Sequence, residues 1–72
     1  MNRDTLKGQW KQLAGDIRTR WGKLTDDEVT RIEGDYDQLV GRIQERYGFA
    51  REQAERELDD FLAKHPEPVT RP

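Results

Sequence analysis

The densest set of candidate ligands in the chain is the acidic stretch "DDEVTRIEGDYD" at residues 26–37. A calcium loop needs Asp or Asn at alternate positions, a central glycine and a terminal bidentate glutamate. This stretch does not meet that spacing, and Asp26, Asp27 and Glu28 are accounted for by helix capping. His65 is the one histidine, stands beside Pro66 and reads as solvated, since a single histidine does not build a zinc site. Serine and cysteine are absent, which removes two common nucleophiles. No phosphate-cradling or nucleotide-binding glycine pattern is present. Paired carboxylates would need a pocket to set their acidities apart, and a chain with so few apolar residues does not enclose one. The sequence therefore predicts a protein that is not an enzyme, with no catalytic residue, cofactor, metal or small-molecule substrate.

What remains is surface. Residues 1–24 carry Arg3, Lys7, Lys11, Arg18, Arg20 and Lys23 against Asp4 and Asp16, a net of +4, while residues 25–72 carry seven basic and thirteen acidic groups, a net of −6. The simple reading is a basic first helix that complements the acidic remainder. The sharper one is a binding face on that helix for an unknown protein client or a nucleic acid, with Lys11, Arg18, Gly8 and Gly15 as its residues. The overall balance of −2 argues against nucleic acid, because dedicated nucleic-acid domains are usually basic. Trp10, Trp21, Tyr36 and Tyr47 stand near basic residues, as base-stacking groups would, but they occupy core positions. Arg20 and Arg46 fall at equivalent places one turn before a helix end, where a cation faces the helix dipole. Gln12 and Gln38 are placed to hydrogen-bond to the opposite hairpin's backbone.

The elements that position these residues follow from periodicity. Charged residues make up 39% and hydrophobic residues 32% of the chain, near the border between folded and disordered compositions. Leu6, Trp10, Leu13, Ile17, Trp21 and Leu24 nevertheless recur every three or four positions, a helical stripe. It predicts helix one over 3–21, stopped by a left-handed Gly22. Thr25 and Glu28 form a capping box, and helix two runs over 26–33 with Val29 and Ile32 inward. Gly34 breaks the chain. Tyr36, Leu39, Val40, Ile43 and Tyr47 predict helix three over 35–47, ended by Gly48. Helix four covers 50–64, with Ala50, Ala54, Leu58, Phe61 and Leu62 inward and Glu52–Arg56 and Asp60–Lys64 pairs outside. The domain is 1–64. The tail "HPEPVTRP" at 65–72, with three prolines, is expected to be disordered.

Two stretches nearly repeat: "GQWKQLAGDIRTRWG" at 8–22 and "GDYDQLVGRIQERYG" at 34–48, offset by 26 with seven of fifteen positions identical. Each copy predicts a long helix, a glycine stop, a large apolar residue and a second helix. The fold class is therefore all-α: a compact four-helix domain of two tandem αα-hairpins, an internal duplication in which neither hairpin buries its apolar face alone. Gly8, Gly15, Gly34 and Gly41 lie opposite the apolar stripes, where bare backbone admits a close neighbour or is merely tolerated, at about 1 kcal/mol each. No apolar run reaches the length of a membrane span, and "MNRDTLKGQWK" is not a signal peptide. With no cysteine, the expected location is the cytoplasm, without membrane insertion.

The runs "GQWKQLAGDIRTRWGKLTDDE" and "IEGDYDQLVGRIQERYGFAREQAERE" resemble the CsbD-like family of small bacterial general stress proteins, in particular its YjbJ-type members. The resemblance covers about residues 2–62. It implies a four-helix fold of two crossed hairpins similar to SAM-domain-like folds, and a part in the general stress response. It implies no catalytic or binding residues. The composition, with six glycines and a mean hydropathy of −1.17, is also similar to hydrophilins, polar proteins held to protect other macromolecules by weak contacts.

Overall fold

The computed structural model describes residues 3–64, apart from the side chains of Arg3 and Thr5. The tail at 65–72, and His65 with it, lies outside the described residues. Within them the chain forms five helices and no strand: α1 (Arg3–Gly8), α2 (Trp10–Arg20), α3 (Asp26–Ile32), α4 (Tyr36–Tyr47) and α5 (Arg51–Lys64). None is long and apolar enough to cross a membrane.

The core consists of the residues that the periodicity selects. Leu6, Trp10, Leu13, Ile17, Trp21, Leu24, Val29, Ile32, Tyr36, Leu39, Val40, Ile43, Ala54, Leu58 and Leu62 are all buried. Tyr47, Phe49 and Phe61 pack against this cluster only half-buried, and Ala50 is exposed, standing just before α5, where its carbonyl accepts from the Ala54 amide. Burying roughly fifteen such side chains, at ~1.5–3 kcal/mol each, is the main favourable term of a fold this small.

Two boundaries differ from the sequence expectation. The first helix is two helices, interrupted at Gln9, whose φ of −116° and ψ of 21° leave helical geometry. The repeat explains the break: with the 26-residue offset, Gln9 corresponds to Asp35, the residue that caps α4. Gly22 is not left-handed. The chain turns instead at Trp21, with φ of −121° and ψ of 75°, so that its indole enters the core with no exposed surface. Left-handed backbone is used at Gly48 (φ 72°) and at the consecutive pair Glu33 (φ 51°) and Gly34 (φ 80°).

Gly34 also differs from the other repeated glycines, and of the two readings open to them it takes the close neighbour, here α1 of the other half. It is buried, and a β-carbon there would stand 2.6 Å from Lys7 Cα and 3.2 Å from the Leu6 carbonyl oxygen. α1 therefore crosses the α3–α4 joint in backbone contact. Gly8, Gly15 and Gly41 meet nothing within 4 Å.

The glycines should separate by substitution. Gly34→Ala must adopt a left-handed φ and push α1 away, and should cost at least about 2 kcal/mol. Gly15→Ala and Gly41→Ala, in helix interiors with free space, should each stabilise by about 1 kcal/mol. Urea unfolding monitored by circular dichroism measures all three, and a neutral Gly34→Ala would contradict the close approach.

Candidate functional site

Gly8, Lys11, Gly15 and Arg18 follow one another at intervals of three, four and three, which aligns them on one side of a helix. The structure places all four along a shallow groove between α2 and α3. Its upper part is bordered by Lys7, Gly8, Trp10, Lys11, Val29 and Glu33. Its lower part is bordered by Gly15, Arg18, Thr19 and Asp26, with Ala14, Val29 and Thr30 common to both. The floor is fixed by the Trp10 indole, whose Nε1 donates to the Val29 carbonyl at 3.0 Å. That bond satisfies the indole's only donor and holds α2 against α3.

The electrostatics of this face are more balanced than the charge count of residues 1–24 suggests. Arg18 is engaged by Asp26 across the groove. Arg20 reaches Glu57 on α5 at 2.8 Å and also lies over the Trp21 ring, 4.9 Å from its centroid. Lys23 stands 5.0 Å above Tyr47. Among the described residues, Lys11 is exposed and has no ion pair, and Glu33 sits across the groove from it. The Thr19 hydroxyl donates to the Gly15 carbonyl at 3.0 Å, so it is occupied within its own helix. No group of His, Cys, Asp and Glu that could hold a metal occurs among the described residues. The aromatic residues do not form a stacking surface: Trp10, Trp21 and Tyr36 are buried.

The most strongly perturbed group lies elsewhere. Glu28 completes the capping box, accepting from the Thr25 amide at 3.0 Å while its own amide donates to Thr25 Oγ1 at 3.1 Å. The same carboxylate accepts from Arg46 Nε at 3.0 Å and Arg46 Nη2 at 2.5 Å, with Arg42 Nη1 3.8 Å away. The Arg46 hydrogen bonds, then the Thr25 amide and the positive charges of Arg46 and Arg42, outweigh desolvation and hold the Glu28 carboxyl down at about 2. Glu28 in turn raises the Arg46 guanidinium above its ordinary value. Arg51, bridging Asp37 at 2.7 Å and Glu55 at 2.8 Å, is raised likewise.

Arg20 and Arg46 are thus more than cations at helix ends. Each crosses from the last turn of a long helix to a glutamate on a helix of the other repeat. The sequence signal for this was the repeated arginine itself, but nothing local named Glu28 or Glu57 as its partner. Gln12 and Gln38 do not reach the opposite backbone. Both are exposed, and Gln38 Nε2 lies 3.4 Å from Asp35 on its own helix cap.

The family model described as CsbD-like matches residues 4–56. The chain is 57% identical over 65 residues to the UPF0337 protein YjbJ of Escherichia coli K12, covering 90% of this chain and 94% of that protein. It is equally identical to the protein of the same name in Salmonella typhimurium LT2, covering 90% of this chain and 93% of that protein. A UPF0337 protein of Bordetella pertussis Tohama I is 53% identical over 66 residues, 92% of this chain and all of that protein.

Glu28 generates a pH prediction. Its folded acidity lies below the ordinary 4.5, so its stabilisation is fully present above about 4.5 and is lost as pH falls toward 2. Glu28→Gln keeps the capping hydrogen bonds but not the charge. It should be less stable than the wild type at pH 7, with the difference shrinking below about 4.5 and closing near 2. Urea midpoints across this range measure it, and a gap independent of pH would remove the charge from the account.

Proposed function

The chain belongs to the CsbD-like family, and on that premise we propose that it is a non-enzymatic general stress response protein of the bacterial cytoplasm, acting as a hydrophilin-like protectant of other macromolecules. The observation that carries this reading is the surface. Charged residues are 39% of the chain, and they neutralise one another locally: Arg18 with Asp26, Arg31 with Asp27, Arg42 with Glu45, Arg51 with Asp37 and Glu55, Lys64 with Asp60. Such a surface is densely hydrated and alternates in sign, which suits weak contact with many neighbours better than a strong contact with one. The absence of cysteine fits a reducing compartment. The two-hairpin, SAM-domain-like plan belongs to the same reading. α2 packs on α3 and α4 on α5, and the crossing arginines tie one hairpin to the other.

A second reading has its own observation: Gly8, Lys11, Gly15 and Arg18 border one groove. That arrangement would serve an interaction module for a protein partner or nucleic acid. Arg18 is a poor probe of it, because reversing its charge would set a carboxylate beside Asp26. Lys11→Glu leaves the ion pairs of the fold intact and isolates the binding question.

The deciding experiment is protection of a labile enzyme through drying and freeze–thaw, with an unrelated small folded protein at equal mass as control. Protection should exceed the control, scale with concentration and be unchanged in Lys11→Glu. Protection no better than the control overturns the protectant reading. Protection abolished by Lys11→Glu transfers the case to the groove.

A further inference from the structure

The apolar stripe runs unbroken through the α1–α2 joint, while the backbone does not. Leu6, Trp10, Leu13 and Ile17 keep the spacing of one continuous helix. The chain nevertheless leaves that geometry at Gln9, where no side chain caps the helix that follows. The side-chain oxygen of Gln9 is itself buried without a partner. The bend is held from the far side: Leu6 is fully buried, and the Lys7 backbone rests on Gly34. The apolar spacing thus fits a straight helix, against which Gly8 beside the joint counts about 1 kcal/mol, while tertiary contact holds α1 apart from α2, with a single residue between them.

A six-residue helix is too short to persist alone, so α1 holds its shape only in its seat beside the α3–α4 joint or as an extension of α2. Straightening Gln9 carries α1 out of that seat and leaves it open to the α1 of a second copy, which fits because every contact is one the monomer already makes. We propose that this chain exchanges α1 between two copies, forming a symmetric swapped dimer in which residues 3–20 become one helix. The exchange relieves two bent hinges per dimer. It competes with a tethered arm whose effective concentration is in the millimolar range, so the dimer belongs to concentrated protein. Short hinges are a known setting for such exchange.

The test uses the full chain and the variants Gln9→Ala and Gln9→Gly, unfolded, refolded at millimolar concentration and examined by sedimentation velocity. Alanine favours helix at the hinge and glycine the bend. Their difference in helix preference, applied at two hinges, sets an expected ratio of roughly thirtyfold between the dimer association constants. Circular dichroism confirms that each variant is folded. To identify the exchanged element, Asp4→Cys protein is refolded with Asp37→Cys protein. Both positions border one depression that spans the α1 seat, and the chain has no cysteine of its own. The double variant in a single chain, oxidised when dilute, calibrates their reach. The expected result is a disulfide-linked heterodimer. A monomer at every concentration, a dimer indifferent to residue 9, or a dimer without that cross-link when the single-chain control closes would each overturn the proposal.

Discussion

The passage of Lys7 over Gly34, backbone to backbone, is the constraint around which the rest of this fold is arranged. A β-carbon at residue 34 would come within 2.6 Å of Lys7 Cα, so any other residue there must displace α1 as well as take up the left-handed φ. Because α1 lies so close, Leu6 closes the end of a core that would otherwise open to water. Because the chain must turn sharply at 33–34 to make room, Glu33 accepts a left-handed φ that non-glycine residues seldom take. The two glycine-marked joints of the repeat, Gly8–Gln9 and Gly34–Asp35, are therefore unequal partners. Gly8 lies open to solvent, whereas Gly34 is sealed beneath α1. The repeated sequence gives two versions of the joint, and packing gives them different conformations.

Glu28 fastens the opposite side. It reads locally as the third residue of α3 completing a capping box, and globally as the carboxylate that receives Arg46 from α4. A single side chain thus fixes where α3 begins and how α4 lies against it. Arg20 and Glu57 make the corresponding link from α2 to α5. The edge-on packing of Trp21 against Phe61, with ring centroids 5.3 Å apart, lies beside that link. The last turns of α2 and α4 are thus tied by charge, to the middle of α5 and the start of α3 respectively.

Much of this was legible in the residues alone. The stripe from Leu6 to Leu24 and its counterpart from Tyr36 to Leu62 selected the buried residues, because period and hydrophobicity act locally. The Thr25 capping box and the Gly48 stop were equally visible. The break at Gln9 was hidden by an unbroken stripe and could be inferred only by aligning the repeat so that Gln9 fell on Asp35. Gly34 as a contact, and Glu28 and Glu57 as the arginines' partners, depend on which helices become neighbours, which no local rule contains. Of the groove, the alignment of Gly8, Lys11, Gly15 and Arg18 was readable from spacing. Its neutralisation by Asp26 was not, since that acid comes from the next helix.

The pairing of surface charges has a consequence for a medium that is losing water. As solutes concentrate, the screening length contracts from about 10 Å at 0.1 M salt to about 3 Å at 1 M. A fold stabilised by long-range attraction between a basic half and an acidic half would loosen under that change. Here the charges meet their opposites at contact distance on an exposed surface, where each pair contributes at most about 1 kcal/mol, so screening has little to remove. Glu28, its side chain only 10% accessible, is shielded by the protein itself rather than by mobile ions. Apolar burial, meanwhile, is strengthened by excluded solutes. The balance of forces in this domain therefore depends only weakly on the ionic strength around it.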